Sequence, residues 1–270
     1  MSSIQNVNNT LARSLSELLA LDGNPVALKF FANEDEMSQL TKFRVDRPYA
    51  ICQLISDSRY MGRIHLAIGD DLGLCWGGLV AAGFADMPAN VKNGSRYAGW
   101  QFLDERSSQK FFENLPRLPL NNYKGLLITP LGKCPLEPDL VIVFGNAAQM
   151  TALISAYAYD KGESMSFIMP PTVGCAYSVA LPMLTKKPNM VVPCNGMRLL
   201  SMPDNSNLVF SAPFSEIGNV VKGLKFLRER GGPSYPPGWQ HIMWRPEPPM
   251  SYITDPSGPG PIWLKKKPGE

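Results

Sequence analysis

The sequence predicts an α/β (or α+β) fold, with a mixed sheet, flanking helices and an extended C-terminal arm rich in proline and tryptophan. Residues 125–131 (GLLITPL) and 140–144 (LVIVF) are apolar at consecutive positions, a pattern typical of strands covered on both faces. The second strand leads into a helical pattern at 147–162, which ends at glycine. Ten of the 25 prolines fall in the last 38 residues, beside three tryptophans. We therefore predict one α/β domain over residues 1–232 and an arm over residues 233–270, which packs on the body or on a second subunit of a homo-oligomer.

The remaining elements follow from periodicity and turn residues. Apolar residues recur at helical spacing from Ile4 to Leu18, and the sequence DGNP then ends that helix. Residues 72–84 (LGLCWGGLVAAGF) fit either a small-residue helix, capped by Asp70 or Asp71, or a glycine-rich loop. Further strands are predicted at 26–31, 164–169, 190–192 and 207–211, and further helices at 178–185 and 214–229. Residues 49–60 fit a helix or a buried strand, and the helix is favoured.

Composition and charge narrow the function classes. The chain has 270 residues, of which 44% are hydrophobic and 18% charged, as in a globular protein with a hydrophobic core. Its net charge of +3 is too small to predict binding to nucleic acid. No stretch is long and apolar enough to span a membrane, and the first residues do not form a secretory signal, so we expect a cytoplasmic protein. Only two histidines are present, and His65, in an apolar strand-like segment, is expected to be a core or edge residue.

Five cysteines carry the candidate chemistry: Cys52, Cys75, Cys134, Cys175 and Cys194. Glycine or proline flanks three of them, at positions 75, 175 and 194, which predicts turns where backbone amides stabilise a thiolate. The odd count argues against a complete disulfide framework, and cytoplasmic thiols stay reduced. Thiolates select zinc and iron–sulfur clusters, but there is no CxxC pair, so a site would have to be assembled from distant loops. Isolated buried cysteines that act as small hydrophobes are the alternative.

A second set of residues is suited to holding a small-molecule ligand or cofactor. Gly73 and Gly77 allow a ligand or a neighbouring backbone to approach closely. Asn146 and Gln149 follow a buried strand, at the edge where open α/β sheets bind ligands. Arg198 can hold a carboxylate or a phosphate through its planar fork, with a surface salt bridge as the alternative.

Several stretches give the sequence a resemblance to a known family. They are GNPVALKFF, ICQLISDSRYMG, DLGLCWGG, PDLVIVFGNAAQM, VGCAYS and PCNGMRLLSMPDNSNLVFSAP, and together they cover residues 20–228. The last is the most specific, because it joins a Cys-Asn-Gly-x-Arg turn to a VFSAP strand. On these motifs the chain resembles the domain-of-unknown-function family 169, which is widespread in anaerobic bacteria and archaea.

The resemblance bears on the cysteines. It implies that cysteines at the positions of Cys75, Cys175 and Cys194, often joined by Cys52, are a family feature, whereas Cys134 is peculiar to this chain. It therefore favours a cysteine-held cofactor, and it names no reaction. The long C-terminal arm departs from the shorter members, so nothing about that arm follows from the family.

Two functions agree with these observations. In the first, Cys75, Cys175 and Cys194, with or without Cys52, hold an iron–sulfur cluster. The protein then acts on a small anionic or aromatic substrate, steered by Arg198 and Asn146, in anaerobic redox or lyase chemistry. In the second, a non-catalytic protein binds a tetrapyrrole, a flavin or a similar small molecule through the glycine-rich segment and the turn at Asn146 and Gln149. A structural subunit of a larger redox complex is a third possibility, suggested by the arm.

Overall fold

A single sheet of six strands forms the centre of the protein. The computed structural model of the chain describes residues 3–235, so residues 236–270 of the predicted arm lie outside the described residues. The strands are β1 (Val26–Phe31), β2 (His65–Ile68), β3 (Gly125–Pro130), β4 (Leu140–Gly145), β5 (Asn189–Val191) and β6 (Leu208–Pro213). Their order across the sheet is β2–β3–β1–β4–β6–β5.

The strands pair antiparallel at all five junctions of this sheet. In the central strand, Val26 is opposite Pro130 on one side and Ile142 on the other. The predicted α/β class is confirmed, and the mixed sheet is refined to an antiparallel one. Strands β3 and β4 are buried at every position because packed layers cover both faces, so their continuous apolar runs do not report strand direction.

Helices lie on both sides of the sheet. Within residues 3–235 none of them has the length and apolar character needed to cross a bilayer. The helices are α1 (Ser3–Leu19), α2 (Ile51–Met61), α3 (Trp76–Ala81), α4 (Ala89–Lys92), α5 (Glu105–Glu113), α6 (Ala147–Ala158), α7 (Leu181–Thr185, directly preceded by a π-helical turn at Ala176–Ala180), α8 (Asn195–Ser201) and α9 (Phe214–Glu229).

Each face of the sheet packs into its own hydrophobic core, because side chains alternate along a strand. The first core takes Leu28 of β1 together with α2, α3 and the π-helical turn before α7. The second core takes the neighbouring Ala27 together with α1, α6 and α9. Representative fully buried members are Ile51, Leu54 and Val179 in the first core and Leu15, Leu153 and Ile217 in the second.

One predicted strand is wrong. Residues 164–169 have no regular secondary structure and join no ladder. The buried side chain of Asn189 takes the place of a strand partner at Ile168: its Oδ1 accepts from the Ile168 N–H at 2.9 Å, and its Nδ2 donates to the Ile168 carbonyl at 3.0 Å. A side-chain amide thus satisfies the backbone of Ile168, which strand propensity cannot foresee.

The glycine-rich stretch at 72–84 forms a helix only over its middle, as α3. Before it, Gly69–Leu72 makes a 3₁₀ turn, in which Asp71 accepts from the Ile68 N–H at 3.0 Å. Asp71 therefore caps the 3₁₀ turn and not α3, for which it was predicted as a cap. Helix α5 was not predicted, although Asp104 caps it by accepting from the Ser107 N–H at 2.7 Å.

Candidate cysteine site

Four of the five cysteines lie at the beginnings of helices on the first-core side of the sheet. Cys75 is the N-cap of α3, and Cys194 is the N-cap of α8. Cys175 directly precedes the π-helical turn that leads into α7, and Cys52 is the second residue of α2. The positive end of a helix, with its free N–H groups, stabilises a negatively charged sulfur. The flanking glycines and prolines therefore predicted these element ends correctly.

Close backbone packing brings the helix starts together. A Cβ added at Gly77 would lie 2.9 Å from Val173 Cγ1, and one added at Gly78 would lie 3.4 Å from the side chain of Ile51. Helix α3 is therefore pressed against the segment before Cys175 and against the start of α2. Of the two glycines predicted to let a ligand approach, Gly77 instead allows the close contact with Val173.

Cys194 is drawn into the same region. A Cβ added at Gly174, the residue before Cys175, would lie 3.5 Å from the Cys194 sulfur. The sulfur of Cys194 thus faces the backbone that carries Cys175. Thiols separated by more than a hundred positions in the chain, Cys52 and Cys175 among them, meet in one place.

Cys52 and Cys175 affect each other's titration. The Cys175 thiol lowers the pKa of Cys52 by hydrogen bonding, and the backbone amides of Cys52 and Gln53 act in the same direction, against burial. The pKa of Cys175 is raised well above its ordinary value by the same interaction, then by burial and by the charges of Cys52, Cys75 and Cys194. The two thiols therefore titrate as one pair, in which loss of the first proton opposes loss of the second.

Cys75 and Cys194 form the accessible side of the group. Both are partly exposed, whereas Cys52 and Cys175 are buried. Burial raises the pKa of Cys75, the backbone amides of Gly78 and Gly77 oppose that effect, and the charges of Cys52 and Cys194 add to it. All four thiols thus influence one another electrostatically, and a reactant would approach from the side of Cys75 and Cys194.

Cys134 stands apart from these four. It is fully buried in the second core, across the sheet, where its thiol donates to the Leu136 carbonyl at 3.2 Å. Burial raises its pKa to about 11. It behaves as the small buried hydrophobe that isolated cysteines usually are.

The four cysteines offer the type of donor that a thiophilic metal prefers. Their side chains, however, are not arranged around a common metal position. Within residues 3–235, no group of three or more histidine, cysteine, aspartate or glutamate side chains is arranged to hold a metal ion. All four are free cysteines. Metal binding would require loss of their protons and rotation of the side chains toward a common point.

Aromatic side chains border the group. Trp76, which follows Cys75, donates from Nε1 to the Tyr97 hydroxyl at 3.0 Å and packs edge-on against Phe112. Tyr177, two residues after Cys175, stacks on Phe111 with ring centroids 6.5 Å apart. Trp100 is 69% exposed and packs against Tyr97, with ring centroids 5.4 Å apart.

The polar side chains of the remaining predicted site residues have local partners, although Gly73 is close to Cys75 in the chain and the Arg198 N–H donates to the Cys194 carbonyl at 2.9 Å. Gly73 closes the 3₁₀ turn before α3, where an added Cβ would lie 2.9 Å from the Asp70 carbonyl oxygen. Asn146 and Gln149 cap α6 reciprocally, and Gln149 Nε2 also donates to the Leu19 carbonyl at 2.8 Å. Arg198 Nη1 donates to an exposed Asn205 at 3.2 Å. Among the described residues, the side chains of Asn146, Gln149 and Arg198 make no hydrogen bond to a cysteine.

One polar constellation escaped the sequence reasoning. His65 Nε2 lies 2.7 Å from Asp57 Oδ2, beside a surface cleft. A signal was present: Tyr49, Gln53, Asp57 and Tyr60 recur at helical spacing and predict a polar, aromatic face on the second helix. It was missed because His65 lies 8 positions from its carboxylate partner, on a separate strand.

Comparisons with known proteins agree with the motifs. The model of the domain-of-unknown-function family 169, described as "Uncharacterised ArCR", matches residues 14–223. The chain is 27% identical over 221 residues to an uncharacterized protein of Methanocaldococcus jannaschii, an alignment that covers 81% of this chain and 94% of that protein. No solved structure matches the chain. Because the family match spans most of the sequence, cysteine site included, the chain belongs to the domain-of-unknown-function family 169.

Proposed function

We propose that Cys52, Cys75, Cys175 and Cys194 bind an iron–sulfur cluster that serves redox or lyase chemistry on a small anionic or aromatic substrate. The observation that carries this proposal is the convergence of four cysteines at helix starts in one core, with the fifth left across the sheet. Iron–sulfur clusters usually take four thiolates, and three leave one iron open to a substrate.

The surroundings of the thiols favour an anionic, sulfur-held group. Backbone amides near Cys52 and Cys75 favour the thiolate form of both, because they lower the pKa of each sulfur against the effect of burial. Burial in an apolar and aromatic shell excludes water from Cys52 and Cys175. Amide donors and low solvent access are the features by which proteins tune a cluster's potential.

Backbone strain next to Cys175 supports a functional role for this region. Val173 has φ of 51°, in the left-handed region that a β-branched residue rarely adopts. Such strain costs about 1–3 kcal/mol and concentrates at functional sites. The same residue packs on Gly77, so the strained segment is also the one that holds α3 in place.

A cluster held by all four thiolates would supply electron transfer, and one held by three of them would supply an open iron as a Lewis acid. The chain's own contribution would be to hold the four thiolates, to keep water away from the buried pair and to admit a reactant beside Cys75 and Cys194. Trp76 directly follows Cys75 in the sequence, and its aromatic ring is suited to contact with a planar substrate.

Anaerobic reconstitution tests the nature of the group. Protein purified without oxygen and incubated with ferrous iron, sulfide and a thiol reductant is expected to retain iron and acid-labile sulfide after desalting. It should also show broad visible absorption that dithionite bleaches. A protein that stays colourless and iron-free would contradict a cluster. A flavin spectrum or a sharp Soret band in the protein as isolated would favour the alternative, a non-catalytic binding protein for a flavin or a tetrapyrrole.

A further inference from the structure

A cleft of about 500 Å³ opens between α2, α8 and the edge strand β2. Its volume lies within the range typical of small-molecule sites. It follows the outer face of α2, opposite the face on which Cys52 and Ile55 are buried. The cleft is therefore separate from the cysteine group, and its properties do not depend on a cluster.

Asp57 organises the polar side of the cleft. One carboxylate oxygen, Oδ2, lies 2.7 Å from His65 Nε2, and the other, Oδ1, accepts from Arg63 Nη1 at 3.3 Å. The carboxylate thus holds both the imidazole and the guanidinium in fixed orientations. A side chain oriented by a second group in this way is preorganised for binding.

Both oriented groups keep polar atoms free for a ligand. His65 Nδ1 has no hydrogen-bond partner among the described residues, and it is not one of their unsatisfied buried atoms, so it stays accessible from the cleft. When Nε2–H donates to Asp57, Nδ1 of the neutral imidazole is an acceptor, so the donors that remain for an anion are those of Arg63. The Arg63 side chain is 68% exposed, and only one of its nitrogens is engaged by Asp57. The remaining fork of the guanidinium matches the two oxygens of a carboxylate.

The other walls of the cleft are aromatic and apolar. Tyr60 lines it, with the guanidinium of Arg59 4.5 Å from the centre of its ring. Leu54, Leu200 and the exposed Met202 contribute hydrocarbon surface. A ligand that fits has an anionic head for Arg63 and a flat or branched hydrocarbon body.

We propose that this cleft binds a small organic carboxylate, with the carboxylate on Arg63 and the hydrocarbon part against Tyr60 and the apolar wall. Asp57 is the positioning residue, since it contacts Arg63 and His65 rather than the ligand. The site lies on the two helices whose first turns carry Cys52 and Cys194, but it needs neither thiol.

Benzoate is the probe, and benzamide, which has the same ring without the charge, is the control ligand. We expect benzoate to shift the NMR signals of Tyr60, Arg63 and His65 in isotope-labelled protein, and benzamide to bind more weakly. Arg63→Gln should weaken benzoate binding by about tenfold, the effect of one hydrogen bond to a charged group. Arg13→Gln, on the exposed side of α1, is the matched control and should leave the affinity unchanged.

A second variant tests the site without touching the polar side. Met202 is 77% exposed at the rim, with φ of 44°, a conformation that aspartate tolerates better than methionine. Met202→Asp should therefore fold, and its charge should weaken benzoate binding several-fold. Equal binding of benzoate and benzamide, or unchanged benzoate affinity in both Arg63→Gln and Met202→Asp, would overturn the proposal. Cys175→Ser should bind benzoate normally, which separates this site from the cluster.

Discussion

Arg59 is 2% exposed, although arginine is rarely buried unless it is paired. Its guanidinium forms an ion pair with Asp22, donates to Asn207 Oδ1 at 2.9 Å and lies over the ring of Phe144. Asn24 donates to its carbonyl oxygen as well. One residue of α2 thereby ties together the turn after α1, the loop before β6 and the end of β4.

Arg59→Met should destabilise the protein by about 2–3 kcal/mol, because the buried Asn207 would lose a charged hydrogen-bond donor that methionine cannot replace. Urea unfolding followed by circular dichroism measures this loss. Arg13→Met, at an exposed position of α1, should change the free energy of unfolding by less than about 0.5 kcal/mol. If Arg59→Met and Arg13→Met lowered the free energy of unfolding by similar amounts, Arg59 would not have this structural role.

Cys134 makes stability depend on pH in the alkaline range. Burial raises its pKa from 9.0 to about 11, so between these values the unfolded chain releases the proton while the native protein keeps it. The unfolded state then binds fewer protons, and the free energy of unfolding falls as pH rises through this window, by up to about 2–3 kcal/mol from this thiol.

The free energy of unfolding of Cys134→Ser should fall less between pH 9.0 and about 11 than that of the wild type. The serine hydroxyl can still donate to the Leu136 carbonyl but does not titrate there. Urea unfolding at several pH values between 9 and 11 measures the slope. Cys175, whose pKa is also raised, contributes equally to both proteins and cancels in the comparison. Parallel pH profiles for wild type and variant would show that Cys134 is not the titrating group.

At the scale of elements, the fit of α3 against its neighbours decides where the cysteines meet. Gly77 lets Val173 approach, and Gly78 lets the start of α2 approach. A short helix with two glycines is intrinsically weak, so its stability comes from this packing rather than from propensity.

Gly77→Ala should destabilise the protein by about 1–3 kcal/mol, because its Cβ would lie 2.9 Å from Val173 Cγ1. The double variant Gly77→Ala with Val173→Ala should recover part of that loss, and a double-mutant cycle measures the coupling. In contrast, Gly218→Ala in α9 meets no atom within 4 Å and should stabilise the protein by about 0.5–1 kcal/mol. Additive effects of the Gly77 and Val173 changes would rule out the contact.

Elements with a strong periodic pattern were predictable, and those held by side chains were not. The strand over Val26–Phe31 and the helix over Phe214–Glu229 were predicted at their observed bounds, because apolar burial alone specifies them. Residues 164–169 were predicted as a strand from their sequence, SMSFIM, in which apolar residues predominate. Their partner is a single amide, on Asn189, and no local pattern announces such a bond.

On the scale of the whole molecule, the sheet divides the protein into a core with four cysteines and a core with one. Glycine and proline predicted that Cys75, Cys175 and Cys194 lie at element ends, as they do. Their convergence could not be predicted from spacing, because it depends on how α2, α3, α7 and α8 pack on one face of the sheet. The resemblance to family 169 implied that Cys134 differs from the other four cysteines. In the structure, Cys134 lies in the second core and the other four lie in or against the first.

The iron content of matched cysteine variants is the most direct test of whether four thiols form one metal site. Wild type, Cys175→Ser, Cys194→Ser and Cys134→Ser would be reconstituted side by side with ferrous iron and sulfide, desalted without oxygen and assayed for iron per folded chain. We predict that the Cys175 and Cys194 variants lose most of the bound iron, while the Cys134 variant retains the wild-type amount. Equal iron content in all four proteins, or no retained iron in the wild type, would contradict a cluster held by these cysteines.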